Sequence, residues 1–362
     1  MDIEKLDRNM AVKDPGKNLY WYKACDLTVE GKGWEDTESF YNRLPAKAKG
    51  IVRTPVWELS KCPAGISIHF STDTPSLAVK WDGVDAMDHM TALGVSGLDL
   101  YVKHDGKWKW LAVGRPTQEL NESQLFENLP SESRDYILYL PLYNPISQIE
   151  LGIPASFDLR PTLPRKRKPV VFYGTSITQG GCASRPGMCY PAILGRWLDN
   201  PIINLGFSGN GIMEPEVISL LCELDPALYV LDNMPNMEES SIKEREESAI
   251  RKLRTAHTET PIVLIENMLY CDAFLKESRK NRYASSNTAQ YAIYEKLVKE
   301  GIDNLHYIKD DALIGADGEA TVDGSHFTDL GYMRFSEKLI GPLTLLFTDK
   351  EGRRRRNYLT AN

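Results

Sequence analysis

The sequence predicts two architectures in one chain of 362 residues: an antiparallel β-sandwich of jelly-roll type, then an α/β domain on a doubly wound, parallel five-stranded sheet. Three observations predict this. Residues 1–160 carry short alternating runs of apolar and polar residues, with turn signals between them and no convincing helical period. Residues 170–350 alternate short, continuously apolar runs with amphipathic stretches of helical length. Between them, PTLPRKRKP at 161–169 combines three prolines with four consecutive basic residues, the composition of an exposed, solvated connector. A second basic run, Arg353–Arg356, belongs to a solvated tail over 351–362.

The composition narrows the function. Hydrophobic residues make up 42% and charged residues 26%, as in ordinary globular proteins, which excludes disordered, collagen-like and coiled-coil chains. The net charge of −7 argues against broad nucleic-acid binding, which needs a basic face. No apolar stretch reaches membrane-spanning length. The first 20 residues lack the apolar core of a signal peptide, so the compartment is the cytoplasm if the chain is complete, and the periplasm or exterior if a signal was removed. The six cysteines (Cys25, Cys62, Cys182, Cys189, Cys222, Cys271) form neither a disulfide framework nor a C-x-x-C zinc site. Cys182 and Cys189 are close enough in sequence to bridge, and reduced, separate thiols are the favoured reading.

In the β region, strands are expected at 66–70, 76–81, 98–102, 108–113, 136–142 and 149–153, the third and fourth flanking the turn-forming 103–107. Beyond the connector, strands are expected at 169–173, 202–205, 227–231, 261–266 and 305–308. Helices are expected at 190–198, 214–223, 238–257, 283–300 and 330–346. Right-handed crossovers make this a doubly wound sheet, whose ligand belongs at the carboxyl ends of its strands.

The loops at those ends hold the candidate residues. After strand one, Gly174-Thr175-Ser176 places a hydroxyl at a strand end, where a helix-capping turn is the plainer alternative. After strand two, Gly206-Phe207-Ser208-Gly209-Asn210-Gly211 exposes backbone N–H groups; a flexible turn or a phosphate cradle are the alternatives, and the spacing is not that of a dinucleotide loop. After strand three, Asp232-Asn233-Met234-Pro235-Asn236 offers an amide donor or a helix cap. Near the C-terminus, Asp323-Gly324-Ser325-His326 lets a carboxylate reach the imidazole Nδ1 within one turn, leaving Nε2 as a base.

These four segments, in this order, resemble the four blocks of the SGNH (GDSL-type) hydrolase superfamily, over residues 169–348. Gly97-Leu98-Asp99-Leu100-Tyr101 resembles the G-x-D-L-Y signature of an N-terminal β domain attached to one branch of these hydrolases, and residues 181–188 resemble that branch too. Block one reads Gly-Thr-Ser instead of Gly-Asp-Ser, and block three Met-Pro-Asn where many members have Gly-x-Asn-Asp. The resemblance implies an SGNH, flavodoxin-like fold and a catalytic triad of Ser176, Asp323 and His326. It implies an oxyanion hole from the Ser176 and Gly209 N–H groups and the Asn236 side chain, with Asn233 as competitor. No cofactor or metal is implied. Arg185, just past the nucleophile loop, is a candidate for the substrate pocket or for pairing with a surface carboxylate.

The implied activity is hydrolysis of a carboxylic ester through an acyl-enzyme. Relatives with an accessory β domain resemble carbohydrate esterases, so the expected substrate is a small or oligosaccharide ester that loses an acetyl group. Six of the seven tryptophans lie in the β region and could stack on sugars, although filling a core or interface is the simpler use. Two alternatives remain: an acyltransferase using the same acyl-enzyme, and a glycan-binding protein with a vestigial hydrolase domain. The sequence does not fix the oligomeric state.

Overall fold

The computed structural model describes residues 12–14 and 19–347. The tail and Arg353–Arg356 lie outside them. Among the described residues the chain forms two compact units. The first runs to Ala46 and adds Lys61–Arg165 and Ser184–Gly187; the second takes Lys47–Ser60, Lys166–Ala183 and the chain from Met188 onward. Two short segments therefore fall on the opposite side from the one that a single cut at 161–169 assigns them.

The first unit contains β1 (Val12–Asp14), β2 (Leu19–Lys23), β3 (Thr28–Glu30), β4 (Ser67–Thr72), β5 (Leu77–Asp82), β6 (Leu98–His104), β7 (Lys107–Gly114), β8 (Leu120–Phe126), β9 (Arg134–Tyr139), β10 (Ile149–Pro154) and β11 (Leu159–Pro161). Of two helices in this stretch of sequence, α1 (Thr54–Ser60) belongs to the second unit and α2 (Ala92–Ser96) to the first. The strands form two antiparallel sheets, ordered β1-β2-β10-β5-β8 and β11-β4-β9-β6-β7, with β3 on β4. One core lies between them: Ile68, Phe70, Leu98, Leu100 and Leu138 from one sheet meet Leu77, Val79, Trp81, Leu151 and Ile153 from the other. Period-two alternation puts Asp99 and Tyr101 on the opposite face of β6 from Leu98 and Leu100. The half-exposed β8 escaped the sequence reading because its run Leu-Asn-Glu-Ser-Gln-Leu-Phe gives polar residues to both faces.

The second unit holds β12 (Val170–Gly174), α3 (Ser176–Gln179), α4 (Tyr190–Trp197), β13 (Ile202–Gly206), α5 (Pro215–Leu221), β14 (Leu228–Asp232), α6 (Glu239–Ala256), β15 (Ile262–Ile265), α7 (Glu277–Lys299), β16 (Leu305–Ile308) and α8 (Asp329–Leu346). The parallel sheet is ordered β13-β12-β14-β15-β16. Every residue of β12, β13 and β14 is buried, which explains their largely apolar sequences, with Asn204 and Asp232 as the polar members. The order reverses at β12, so the crevice of this doubly wound sheet opens where β12 ends, directly before Ser176.

The basic connector is tied down instead of being merely solvated. Arg165 Nε lies 2.9 Å from Glu30 Oε2 within the first unit. Within the second, Lys168 Nζ lies 2.6 Å from Asp225 Oδ1, and Arg167 Nη1 donates to the Asp199 carbonyl at 2.7 Å. The exposed Lys168–Asp225 pair contributes about 0–1 kcal/mol, whereas Glu30 is largely buried where Arg165 meets it.

Candidate active site

Ser176 opens the short helix α3, one residue after the capping residue Thr175. Thr175 Oγ1 accepts from the Ile177 N–H at 3.2 Å, while the Thr175 N–H donates to Thr178 Oγ1 at 3.2 Å. Thr178 Oγ1 donates in turn to Asp232 Oδ2 at 3.0 Å, and the Tyr190 hydroxyl reaches the same oxygen at 3.1 Å. Burial drives the Asp232 carboxyl up to about 7, against the pull of these two hydroxyls. The turn is thus held by a fully buried network, and Thr175 serves as its cap. Only glycine fits at 174: a Cβ there would lie 2.1 Å from Thr178 Oγ1 and 2.5 Å from the Asp232 carbonyl oxygen.

The imidazole arrives from a distant part of the chain. Asp323 Oδ1 accepts from the backbone N–H groups of Ser325 (2.9 Å) and His326 (2.8 Å), folding the segment into a tight turn. Gly324 takes φ +89°, which the turn requires and glycine permits. Asp323 Oδ2 then lies 2.7 Å from His326 Nδ1, and His326 Nε2 lies 2.8 Å from Ser176 Oγ. Burial opposes ionisation of Asp323, but the bonds from the His326 ring and from the two backbone N–H groups outweigh it and hold the carboxyl near about 2. The carboxylate is therefore charged at neutral pH, which keeps the Nδ1–H tautomer and leaves Nε2 able to accept the serine proton.

The two asparagines of the third loop separate by their partners. Asn233 is fully buried, and its Nδ2 donates to the Gly211 carbonyl at 3.0 Å. Asn236 Oδ1 accepts from the Gly211 N–H at 3.3 Å, which turns its Nδ2 end away from that contact. Asn236 lines a cavity of about 300 Å³ together with Ser176 and His326, and Asn233 does not. Gly209 lies on an exposed turn at φ +68° and is not among the lining residues.

Arg185 belongs to the first unit and is held by partners within it. Its Nη1 donates to Asp99 Oδ2 and to the Tyr101 hydroxyl, each at 2.7 Å. Its partner is a fully buried carboxylate, not a surface one. Asp99 Oδ2 also accepts the Gly187 N–H at 2.8 Å. A Cβ at Gly187 would fall 2.5 Å from the Tyr101 ring and 2.7 Å from Asp99 Oδ2. The G-x-D-L-Y run thus has a physical role within the first unit: its leucines fill the sandwich core, and its Asp and Tyr hold the 184–187 segment. Trp81 and Trp21 are core residues, whereas Trp110 is half exposed with Arg185 over its ring at 5.5 Å.

The sequence reading missed the roles of five polar or charged residues of the cavity wall: Asn267, Tyr270, Arg279, Arg282 and Thr321. Asn267 and Tyr270 follow the fourth strand, where the same strand-end rule points. The two arginines sit in the first turns of α7, which begins six residues before the expected start at 283. None of the six cysteines is in a disulfide, Cys182 and Cys189 included. Among the described residues no cluster of His, Cys, Asp or Glu could hold a metal ion, and no helix is long and apolar enough to cross a membrane.

A serine at the switch point of a doubly wound sheet, bonded to an imidazole that is bonded to a carboxylate, is an arrangement that can carry out acyl transfer. Comparison with known proteins gives the family. A model described as GDSL-like Lipase/Acylhydrolase family matches residues 167–343, and one described as GxDLY, the N-terminus of SGNH-hydrolase-type esterases, matches residues 19–159. A crystal structure described as a GDSL-like lipase from Bacteroides ovatus is 34% identical, with a TM-score of 0.88 over 91% of this chain and 98% of its own. A salicylyl-acyltransferase from a tetracycline biosynthetic pathway shares the fold at 18% identity and TM-score 0.70, over 91% of this chain and 95% of its own. A family two carbohydrate esterase from Clostridium thermocellum, in complex with cellohexaose, shares it at 13% identity and TM-score 0.58, over 78% and 92%. No curated protein matches the chain. The chain belongs to the GDSL-like lipase/acylhydrolase family, as an SGNH-type esterase with a GxDLY N-terminal domain.

Proposed function

We propose that the chain removes acetyl groups from a carbohydrate, with Ser176, His326 and Asp323 as its catalytic triad. The observation that carries this reading is the continuous bond path from Ser176 Oγ through His326 to Asp323, at 2.8 and 2.7 Å. His326 Nε2 takes the hydroxyl proton as Oγ attacks the ester carbonyl, because a free alcohol is a weak nucleophile at neutral pH. Asp323 stabilises the imidazolium. The tetrahedral oxyanion receives the Ser176 N–H and the Asn236 Nδ2, each donor contributing about 2.7–4 kcal/mol toward the barrier, and the Gly209 N–H is a third donor on the family resemblance alone. His326 then protonates the departing alcohol, and water, deprotonated by the same Nε2, releases acetate from Ser176.

The size and wall of the cavity support the substrate. A volume near 300 Å³ suits a short acyl group on a compact alcohol, and Asn267, Tyr270, Thr321 and Ser325 supply polar contacts for a hydroxyl-rich partner. The carbohydrate esterase fold likeness agrees with this. The test is turnover of p-nitrophenyl acetate, acetylated xylan and acetylated monosaccharides by wild type and by Ser176→Ala. Serine-dependent release of acetate from the sugars is expected. Turnover retained in Ser176→Ala would remove Ser176 from the scheme, and acetate release from none of the sugars would remove the carbohydrate.

A further inference from the structure

One wall of the cavity is unused by the reaction steps above. Arg279 and Arg282, three residues apart at the start of α7, both line it, and no carboxylate does. Arg279 Nη1 donates to Ser325 Oγ at 3.1 Å, beside His326 in sequence, and its Nε lies 3.4 Å from Asp272 Oδ1. Arg282 Nη2 donates to the carbonyl of Pro235 at 3.0 Å, beside Asn236, and Nη1 to Glu238 Oε1 at 3.2 Å. Asp272 is shared with Lys276 at 2.7 Å, so three cations divide two carboxylates here, and the Glu238 side chain is 74% exposed. Asp323 stands in the same turn as Ser325, so the arginines belong to a mixed cluster of both signs, yet theirs are the charged side chains that line the cavity beside His326.

A second, independent feature lies in the same wall. Asn267 is fully buried, with its Nδ2 donating to the Tyr270 hydroxyl at 3.2 Å and to Ser286 Oγ at 3.4 Å. Its Oδ1 has no hydrogen-bond partner among the described residues, yet the residue lines the cavity. An acceptor held this way is costly unless a ligand supplies the donor.

The chemistry says which part of the substrate meets this wall. His326 Nε2 must hand its proton to the departing alcohol, so the alcohol lies against His326, and Arg279 is anchored on the neighbouring Ser325. We propose that Arg279, Arg282 and Asn267 read the alcohol part of the ester, and that this part carries a carboxylate and a free hydroxyl, as an acylated uronic acid does. Planar guanidinium groups match a carboxylate with paired donors, and the orphaned Asn267 oxygen takes the hydroxyl. Both arginines also line an adjoining open depression of about 850 Å³, which leaves room for a longer saccharide beyond the acidic unit.

This inference rests on the serine-esterase reading, and the experiment separates the two. Acetylated methyl glucuronide and acetylated methyl glucoside are compared by kcat/KM in wild type, and by calorimetric binding to Ser176→Ala. Wild type is expected to favour the uronide by about 10-fold or more, with the preference falling in added salt. Arg282→Gln and Arg279→Gln should bring the ratio toward one, and Arg282→Lys should keep part of it. An equal kcat/KM for both esters, or a ratio unmoved in arginine variants that melt as wild type does, overturns the anion reading alone. Preferential uronide binding without serine-dependent turnover would uphold the anion site and overturn the esterase.

Discussion

On the proposed mechanism the two asparagines of the third loop separate most sharply, Asn236 acting on the reaction and Asn233 holding the fold. Asn236 lines the cavity and makes one long bond, 3.3 Å, to the Gly211 N–H. Asn236→Ala should remove an oxyanion donor worth about 2.7–4 kcal/mol, a fall of about 10²–10³ in kcat with little change in melting temperature. Asn233 is fully buried and bonds the Gly211 carbonyl at 3.0 Å. Asn233→Ala strips that carbonyl of its partner, a cost of about 1–3 kcal/mol, or roughly 2–12 °C in melting temperature. Steady-state kinetics on a small acetyl ester, with thermal unfolding of the same preparations, reads both quantities. If Asn233→Ala keeps its melting temperature and loses more kcat than Asn236→Ala, the oxyanion donor is misassigned.

Two further predictions follow from charge. Glu246 is fully buried on α6, accepting from Gln290 Nε2 at 3.0 Å, and burial drives its carboxyl up to about 8 against the pull of that bond. Folded Glu246 is then protonated where the unfolded chain has already ionised, so stability falls as pH rises from about 5 through 8, by an order of a few kcal/mol. Glu246→Gln should flatten that slope in thermal melts, leaving the part of the same sign that Asp232 contributes; a slope parallel to wild type would refute this. Asp323→Asn keeps an acceptor for the two backbone N–H groups but favours the wrong imidazole tautomer. It should lower kcat by about 10³–10⁴ with the circular dichroism unchanged, and near-normal kcat would remove Asp323 from the triad.

Much of this was legible in the sequence, for physical reasons. The three central strands are buried on both faces and read as largely apolar runs, so their limits were found to within a residue or two. Asp323 and His326 were readable because three residues make one turn. The start of α7 was not, because Glu277 to Arg282 are almost all charged or polar, and Lys276 supplies no side-chain cap. That error placed Arg279 and Arg282 in a loop and hid them from the site. The choice between Asn233 and Asn236 depends on which face of Gly211 each amide meets, and Arg185 on a buried carboxylate 86 residues away. Such long-range contacts leave no local trace. The passage of Lys47–Ser60 to the second unit is of the same kind.

The proposed mechanism requires Ser176 Oγ to be the activated nucleophile. Intact-mass and peptide mass spectrometry after treatment with a fluorophosphonate ester tests it directly. One adduct on the peptide carrying Ser176 is expected, absent in Ser176→Ala and greatly slowed in His326→Ala. An adduct on another residue, or labelling of Ser176 at an undiminished rate without the imidazole, would contradict it.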